Sequence, residues 1–251
     1  MSLFRKLARP LRRKPSEPRT APSVSDADAA IIREVRPFTM TSQERILAVL
    51  DAVDYIVNRD LPGAFAECGV WRGGSVMAML RRLQSHGISD RDVYLFDTFS
   101  GMTEPTPEDV SDFSEPASRT WAAATARGDR PWGGMFEPEV FDLDSVRQRL
   151  LATGYPPERL HFVQGPVEST LPEAAPTQLA LLRLDTDWYE STRHELIHLY
   201  PRLGDGGVLI IDDYGHWKGC RQAVDEYFGQ PDKPRPLFAR IDYTGCIGVK
   251  H

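Results

Sequence analysis

The sequence has few cysteines and no long apolar run, and both absences narrow the class of protein. The three cysteines, Cys68, Cys220 and Cys246, form no CxxC pair, and their odd number indicates reduced thiols in a cytoplasmic protein. No apolar stretch approaches the ~20 residues that a helix needs to cross a bilayer. We therefore expect a cytoplasmic protein that does not depend on disulfides and has no membrane as a partner.

Outside its first 20 positions the chain also lacks an excess of basic residues. Those positions hold seven basic side chains and one acid, whereas residues 21–251 hold 23 basic and 35 acidic side chains, a net charge of −12. A body this acidic does not suggest a surface for nucleic acid. Residues 1–25, rich in Pro, Ser and Arg, are predicted to form a disordered basic tail, and residues 26–251 a single domain.

From residue 63 onward, short apolar runs alternate with helix-like segments. The runs are GAFAECGV (63–70), DVYLFDTF (92–99), RLHFVQGP (159–166), LALLRLDT (179–186) and GGVLIIDDY (206–214). Continuous apolar strands joined by helices predict an α/β fold, in which a mostly parallel sheet carries helices on both faces. The closing segment PLFARIDYTGCIGVKH predicts a C-terminal antiparallel hairpin.

One connection is too long and too irregular for an ordinary link between a strand and a helix. Residues 101–143 mix acids with Trp121, Trp132, Phe136 and Phe141. The segment leaves the carboxyl end of a parallel strand, where ligands bind in open α/β sheets. We interpret it as a lid over the site, and a surface insertion with its own aromatic cluster is the alternative.

A glycine-rich turn follows the first apolar run, in AFAECGVWRGGSV. The strand ends at Glu67, and three glycines follow before a helix predicted from Ser75. The spacing is ExGxxxG and not the GxGxxG that places a pyrophosphate on a helix N-terminus. Asp97 ends the next run, where an acid can accept hydrogen bonds from both hydroxyls of a ribose. Together these features favour a nucleoside-type cofactor without a pyrophosphate, and S-adenosylmethionine fits that description.

Acidic residues also end two later runs. Asp185 follows one apolar strand and Asp212 and Asp213 follow the next, while Asp187 lies just beyond and suits the cap of a helix. Neighbouring parallel strands are ~5 Å apart, so three carboxylates should converge at one edge of the sheet and raise one another's pKa. A divalent cation would compensate, and oxygen ligands suit Mg²⁺ or Mn²⁺.

Five motifs in order resemble one enzyme family. They are RPFTMTSQER, ECGVWRGGS, FDTFSGM, LRLDTDWYEST and DDYGHWKGCRQAVDEY, within residues 30–230. The chain resembles the metal-dependent sugar O-methyltransferases of antibiotic biosynthesis, which include the macrocin and mycinamicin O-methyltransferases. The resemblance implies a class I Rossmann-like methyltransferase fold that uses S-adenosylmethionine and Mg²⁺. It also implies methylation of a sugar hydroxyl on a glycosylated small molecule.

The resemblance carries site roles over residue by residue. It implies that Asp185, Asp212 and Asp213 bind the metal ion. The cofactor positions it implies are Met40 and Thr41 over the cofactor, Glu67, Gly69 and Ser75 at the methionine end, Asp97 at the ribose, and Gln164 and Gly165 at the adenine. For the proton of the acceptor hydroxyl, Asp185 is our first choice of base and His216 our second, because histidine has a suitable intrinsic pKa.

Other functions remain open at this point. Related catechol-type methyltransferases act on diols with a lysine shortly after the first metal aspartate, a region where this chain has Trp188. A nucleotide-cofactor oxidoreductase would share the sheet, but this chain lacks the GxGxxG turn that a dinucleotide needs. A metal-dependent hydrolase would leave Glu67 and Asp97 unexplained. A homo-oligomer is expected, and the motifs do not name the acceptor.

Overall fold

The structure, a computed structural model, describes residues 24–251. The predicted basic tail, residues 1–25, therefore lies outside the described residues except for its last two positions. Ser25 caps the first helix, α1 (Asp26–Val35), because its side chain accepts a hydrogen bond from the backbone amide of Asp28. Ser42 caps the second helix, α2 (Gln43–Asn58), in the same way.

Seven strands follow the predicted apolar runs closely. They are β1 (Ala64–Cys68), β2 (Val93–Asp97), β3 (Leu160–Gln164), β4 (Leu179–Leu184), β5 (Leu203–Ile211), β6 (Ala239–Arg240) and β7 (Cys246–Val249). They form one sheet in the order β3-β2-β1-β4-β5-β7-β6, in which β1 to β5 pair in parallel. Strand β7 runs antiparallel to both β5 and β6. The predicted α/β fold with a C-terminal antiparallel hairpin is confirmed.

Seven further helices connect the strands. They are α3 (Gly74–Ser85), α4 (Ala117–Arg127), α5 (Pro138–Phe141), α6 (Leu143–Leu151), α7 (Val167–Thr170), α8 (Tyr189–His198) and α9 (Lys218–Phe228). Helices α1, α2, α3 and α6 cover one face of the sheet, and α8 and α9 cover the other. Alternate residues of β1 divide between the two faces, since Phe65 belongs to one buried cluster and Ala66 to the other. Strands buried on both faces explain the continuous apolar runs.

The structure of the described residues bears on the cysteines and on the lack of a long apolar run. Cys68, Cys220 and Cys246 are free and buried. Between residues 24 and 251, no helix is both long and apolar enough to cross a membrane.

The insertion, residues 101–143, holds more regular structure than its sequence suggested. Helix α4 lies within it and buries only the small residues Ala117 and Ala124. Because ASRTWAAATAR carries no periodic row of large apolar side chains, the sequence interpretation missed this helix. An edge-to-face pair of Phe136 and Phe141, with ring centres 5.1 Å apart, gives the insertion its own small apolar cluster.

A buried carboxyl group in α8 should make stability depend on pH. Glu195 is fully buried; the Thr186 hydroxyl donates to its Oε1 over 2.9 Å, while Oε2 has no partner. Burial raises the pKa of Glu195 well above its ordinary 4.5, so the carboxyl folds in its neutral form. The stability that it contributes is full below pH 4.5 and is lost as the pH rises through the raised pKa.

We therefore expect Glu195→Gln, which cannot ionise, to raise the free energy of unfolding more at pH 8 than at pH 5.5. The gain at pH 8 should be about 1–3 kcal/mol. Urea unfolding of the variant and the parent at both pH values measures it. An equal difference at the two pH values would show that Glu195 does not change its protonation on unfolding.

Candidate active site

A cavity of about 410 Å³ opens at the carboxyl ends of the central parallel strands. Its lining comes from the segment between α1 and α2, the turn after β1, the insertion, and the loops after β4 and β5. Ligands bind at this edge in open α/β sheets. The insertion contributes Met102, Thr103, Trp132, Met135 and Phe136 to the lining, the contact that the lid interpretation requires. Whether the insertion moves as a lid stays a prediction.

The glycine-rich turn brings the ends of β1 and β4 into close contact. Gly69 has a φ of +83°, and a Cβ atom there would lie 1.9 Å from the carbonyl oxygen of Asp185. No other residue fits, because the conformation favours glycine and the space is already filled. Gly73 has a φ of +82° and precedes α3, which begins at Gly74 and not at the predicted Ser75. Gly69 therefore sets the distance between the cofactor turn and the acidic loop.

Asp97 organises the same turn from the end of β2. Its Oδ2 accepts hydrogen bonds from the backbone of Val70 and Trp71 over 2.7 and 2.8 Å, and its Oδ1 accepts from the backbone of Phe99 over 2.7 Å. A carboxylate has about four acceptor positions, so few remain for a ribose hydroxyl. Asp97 lines the cavity as predicted, and the structure adds that it holds the turn in shape.

The structure brings the three aspartates of the predicted metal site together. One oxygen each from Asp185, Asp212 and Asp213 lie within 4.8 Å of one another. Burial, followed by the charges of its acidic neighbours, raises the pKa of Asp213 well above its ordinary value, and its Oδ2 has no hydrogen-bond partner. Burial also raises the pKa of Asp185. The negative charges of the three aspartates are therefore not balanced within the cluster itself.

Two arginines supply part of the compensation that the sequence interpretation assigned to a cation alone. Arg183 of β4 is almost completely buried and forms ion pairs with Glu67, Asp212 and, over 2.7 Å, Asp185. Arg45 of α2 binds the other oxygen of Asp212 and reaches Asp242 over 3.0 Å. Burial alone would lower the pKa of Arg183, but these carboxylates raise it well above its usual range.

Asp187 does not have the capping role expected of it. Its φ is +68° and its Oδ1 accepts a hydrogen bond from the indole nitrogen of Trp217 over 2.8 Å, which turns the side chain into the cavity wall. The first backbone amide of α8, that of Tyr189, donates instead to Asp109 of the insertion over 2.7 Å. Burial raises the pKa of Asp187 to about 7. Sequence reasoning missed both roles because both partners are distant in the chain.

Most predicted cofactor positions line the cavity, and one does not. Met40, Thr41, Glu67, Gly69, Ser75, Asp97 and Gly165 all belong to the lining. Gln164 is exposed at the end of β3 and lies outside it. Gln164 lies outside the lining because the chain turns only after it, at Gly165, where φ is +138°. Its contact with the adenine stays a prediction. Pro166 and Val167 continue the lining in its place.

His216 and Trp188 complete the wall above the aspartates. His216 lies among aromatic rings, and burial together with the positive charge of Arg45 lowers its pKa. Its neutral form, the one that can accept a proton, is therefore the main form at pH 7. Trp188 is buried and donates from its indole nitrogen to the carbonyl of Thr103 over 3.0 Å, tying the insertion to the loop after β4.

The residues present fit both a cofactor and a cation. Glu67 Oε2 is buried without a partner beside the glycine-rich turn, as a binding position for an ammonium group would be. The aspartate trio offers only oxygen ligands, and one of them is unpartnered, a donor set that suits Mg²⁺ or Mn²⁺. Asp212 would have to share its oxygens between the ion and two arginines.

Known proteins are similar to this chain in sequence and in fold. The model of the macrocin O-methyltransferase (TylF) family matches residues 21–248. The 8-demethyl-8-(2,3-dimethoxy-alpha-L-rhamnosyl)-tetracenomycin-C 4'-O-methyltransferase of Streptomyces olivaceus is 34% identical over 225 residues, which cover 88% of this chain and 80% of the relative. The mycinamicin III 3''-O-methyltransferase of Micromonospora griseorubida is 31% identical over 209 residues, covering 80% and 77%.

A solved structure agrees with these relatives. The O-methyltransferase NovP superimposes with a TM-score of 0.70 at 30% identity, over 85% of this chain and 82% of NovP. The class I Rossmann-like fold predicted from the sequence is thereby confirmed. A match over nearly the whole chain, in both sequence and fold, shows that the protein belongs to the macrocin O-methyltransferase (TylF) family and is an S-adenosylmethionine-dependent O-methyltransferase.

Proposed function

We propose that the enzyme methylates a sugar hydroxyl of a glycosylated secondary metabolite, with Mg²⁺ or Mn²⁺ held by Asp185, Asp212 and Asp213. The observation that carries the proposal is the convergence of these three carboxylates, within 4.8 Å, in the cavity that the cofactor turn also lines. Relatives named for acting on glycosylated antibiotics, tetracenomycin and mycinamicin derivatives, support the choice of acceptor.

The excess of acidic residues around the cavity favours two positively charged ligands, the sulfonium cofactor and a metal ion. Among the described residues, seven acidic side chains and a single basic one, Arg45, line it. S-adenosylmethionine carries a positive sulfonium that makes its methyl group electrophilic, and a divalent cation favours the ionised form of an acceptor hydroxyl. In this proposal Glu67 binds the amino group of the cofactor, and Gly69, Ser75 and Asp97 line its methionine and ribose. Met40 and Thr41 cover it, and Gly165 lies beside the adenine.

Three groups are candidates to receive the proton of the acceptor hydroxyl. Asp185 was our first choice, but one of its oxygens accepts from Arg183 and the metal role would occupy the carboxylate further. His216 lines the cavity with a lowered pKa and holds neither an arginine nor a proposed metal ion. Asp187 joins the candidates because it lines the same cavity. We favour His216 over Asp185 on this geometry.

The catechol-type alternative finds less support. It would place a lysine beside the metal site, and within residues 24–251 no lysine lines the cavity. Trp188 lies in that region and its indole is bound to the insertion. A cytoplasmic location, which three free buried cysteines favour, and a homo-oligomeric state remain part of the proposal.

Mass detection of methyl gain tests the proposal. The purified enzyme is incubated with S-adenosylmethionine, Mg²⁺ and a panel of glycosylated aromatic and macrolide compounds, each paired with its free aglycone. We expect a single methyl gain on the sugar of at least one glycoside and none on the aglycones. EDTA should abolish this activity, and Mg²⁺ or Mn²⁺ should restore it.

Two outcomes would contradict the proposal separately. Methylation of the free aglycones would exclude the sugar as the acceptor. Full activity in EDTA would exclude the metal role of the aspartates, and the cofactor assignment would still stand.

A further inference from the structure

Three aromatic side chains form an exposed surface at the mouth of the cavity, which we name the aromatic platform: Phe113, His216 and Tyr243. Phe113 stacks on His216 with ring centres 5.6 Å apart and meets the edge of Tyr243 at 5.4 Å. Phe113 is 63% exposed and Tyr243 58%, so both rings present apolar area to water. Exposed aromatic rings grouped beside a binding cavity mark a binding surface more often than scattered ones do.

The platform is held in place by contacts beneath it. Its members come from three separate segments: the insertion, the loop after β5, and the turn between β6 and β7. Next to Phe113, the carbonyl of Val110 accepts from the backbone of Lys218 over 2.9 Å, and Asp112 pairs with the Lys218 ammonium over 2.5 Å. Asp109 anchors the same stretch to the start of α8. A surface ordered in advance loses little conformational entropy when it binds a ligand.

The platform is continuous with the proposed site of methyl transfer. His216 and Tyr243 line the cavity as well as the platform, and His216 follows Asp213 by three residues. A molecule whose hydroxyl lies at the aspartates would therefore extend its remaining part toward Phe113. For a glycoside, that remaining part is the aglycone.

The charges around the aromatic platform indicate the chemical character of the aglycone. The cavity is strongly acidic, and its basic lining residue, Arg45, is already paired with Asp212 and Asp242. Beside Phe113, the ammonium of Lys218 is paired with Asp112. A phosphate group at the mouth would meet repulsion from the acids, whereas an uncharged flat ring system can stack on the exposed faces of Phe113 and Tyr243.

We propose that the aromatic platform is the binding subsite for a flat, uncharged aglycone, so that the acceptor is a finished glycoside and not a nucleotide-linked sugar. The inference rests on the proposed function and adds to it which residues recognise the part of the acceptor that is not methylated. Phe113 is the specificity-determining residue, because it offers the most exposed ring of the platform.

Calorimetric titration tests the platform with defined probes, in the presence of S-adenosylhomocysteine and Mg²⁺. The probes are p-nitrophenyl α-L-rhamnoside, methyl α-L-rhamnoside and dTDP-L-rhamnose, the sugar being the one in the name of a relative. We expect the p-nitrophenyl glycoside to bind about tenfold more tightly than the methyl glycoside, which is near the upper end for a stacked aromatic contact. Phe113→Ala should reduce this ratio to about one to three.

Leu237→Ala is the matched control, since Leu237 is 86% exposed and lies away from the cavity lining. It should keep the parent ratio, and an unchanged affinity of Phe113→Ala for S-adenosylhomocysteine would show an intact fold. Equal affinities for the two glycosides, or tightest binding of dTDP-L-rhamnose, would overturn the platform while the proposed function stands. Binding of neither glycoside by an enzyme that still binds S-adenosylhomocysteine would contradict the proposed function and this inference with it.

Discussion

Replacing Asp213 by asparagine should lower kcat/KM by more than about 100-fold in the presence of Mg²⁺. The change removes the unpartnered buried carboxylate oxygen of the trio and leaves the volume of the side chain almost unchanged. Affinity for S-adenosylhomocysteine should stay within about twofold, because Asp213 belongs to the acidic loop and not to the glycine-rich turn. A methyl-transfer assay and a calorimetric titration measure the two quantities.

The same variant should become more stable than the parent when EDTA is present. Without a cation, the charges of Asp185 and Asp187 disfavour an ionised Asp213, and an amide removes that repulsion. The parent should gain thermal stability on addition of Mg²⁺, and the variant should gain little or none. This opposite order of Tm values with and without metal distinguishes a cation site from an ordinary buried acid.

Asp205→Asn provides the control for this experiment. Asp205 lies on the same strand, β5, but is exposed and near its opposite end. It should keep activity, Tm and the response to Mg²⁺. If Asp213→Asn retained full activity, or if both variants responded to Mg²⁺ alike, the aspartates would not form the metal site.

Replacing Arg183 by methionine should destabilise the fold by about 3–5 kcal/mol. The substitution removes the guanidinium shared by the buried carboxylates of Glu67 and Asp212 and the half-buried carboxylate of Asp185. Because typical domains unfold with only about 5–15 kcal/mol, a loss of this size should be visible as a large drop in Tm. Urea unfolding monitored by circular dichroism measures the loss.

Mg²⁺ should restore more stability to Arg183→Met than to the parent, since a cation can replace part of the missing charge. Arg81→Met is the control, because Arg81 pairs with Glu34 at the surface and its loss should cost at most about 1 kcal/mol. Similar stabilities of the two variants would mean that Arg183 does not compensate the acidic cluster.

The fold was largely predictable because its signals are local. Each of the five parallel strands is a continuous apolar run bounded by glycine, proline or acids, and the structure places a strand within or overlapping each. Burial on both faces makes such runs unmistakable. Helix α4 was the exception, and its cause is also local. Its sequence is rich in alanine and lacks the periodic row of large apolar residues by which a helix is detected.

The site was predictable only where topology alone brings residues together. Acids that end neighbouring parallel strands must meet at one edge of the sheet, and Asp185, Asp212 and Asp213 do meet there. Gln164 shows the limit of this reasoning, since a difference of one position at a strand end separates an exposed side chain from the cavity lining.

The sequence by itself determined the order of the elements, the edge of the sheet at which chemistry occurs, and the excess of acid there. Only the tertiary structure decided which positively charged side chains compensate these acidic residues. Arg45 and Asp212 are 167 positions apart, and Phe113 and His216 lie in different loops, so neither pair leaves a spacing that can be read along the chain. Such contacts depend on how helices and the insertion pack against the sheet, because packing and not chain order selects which distant side chains touch.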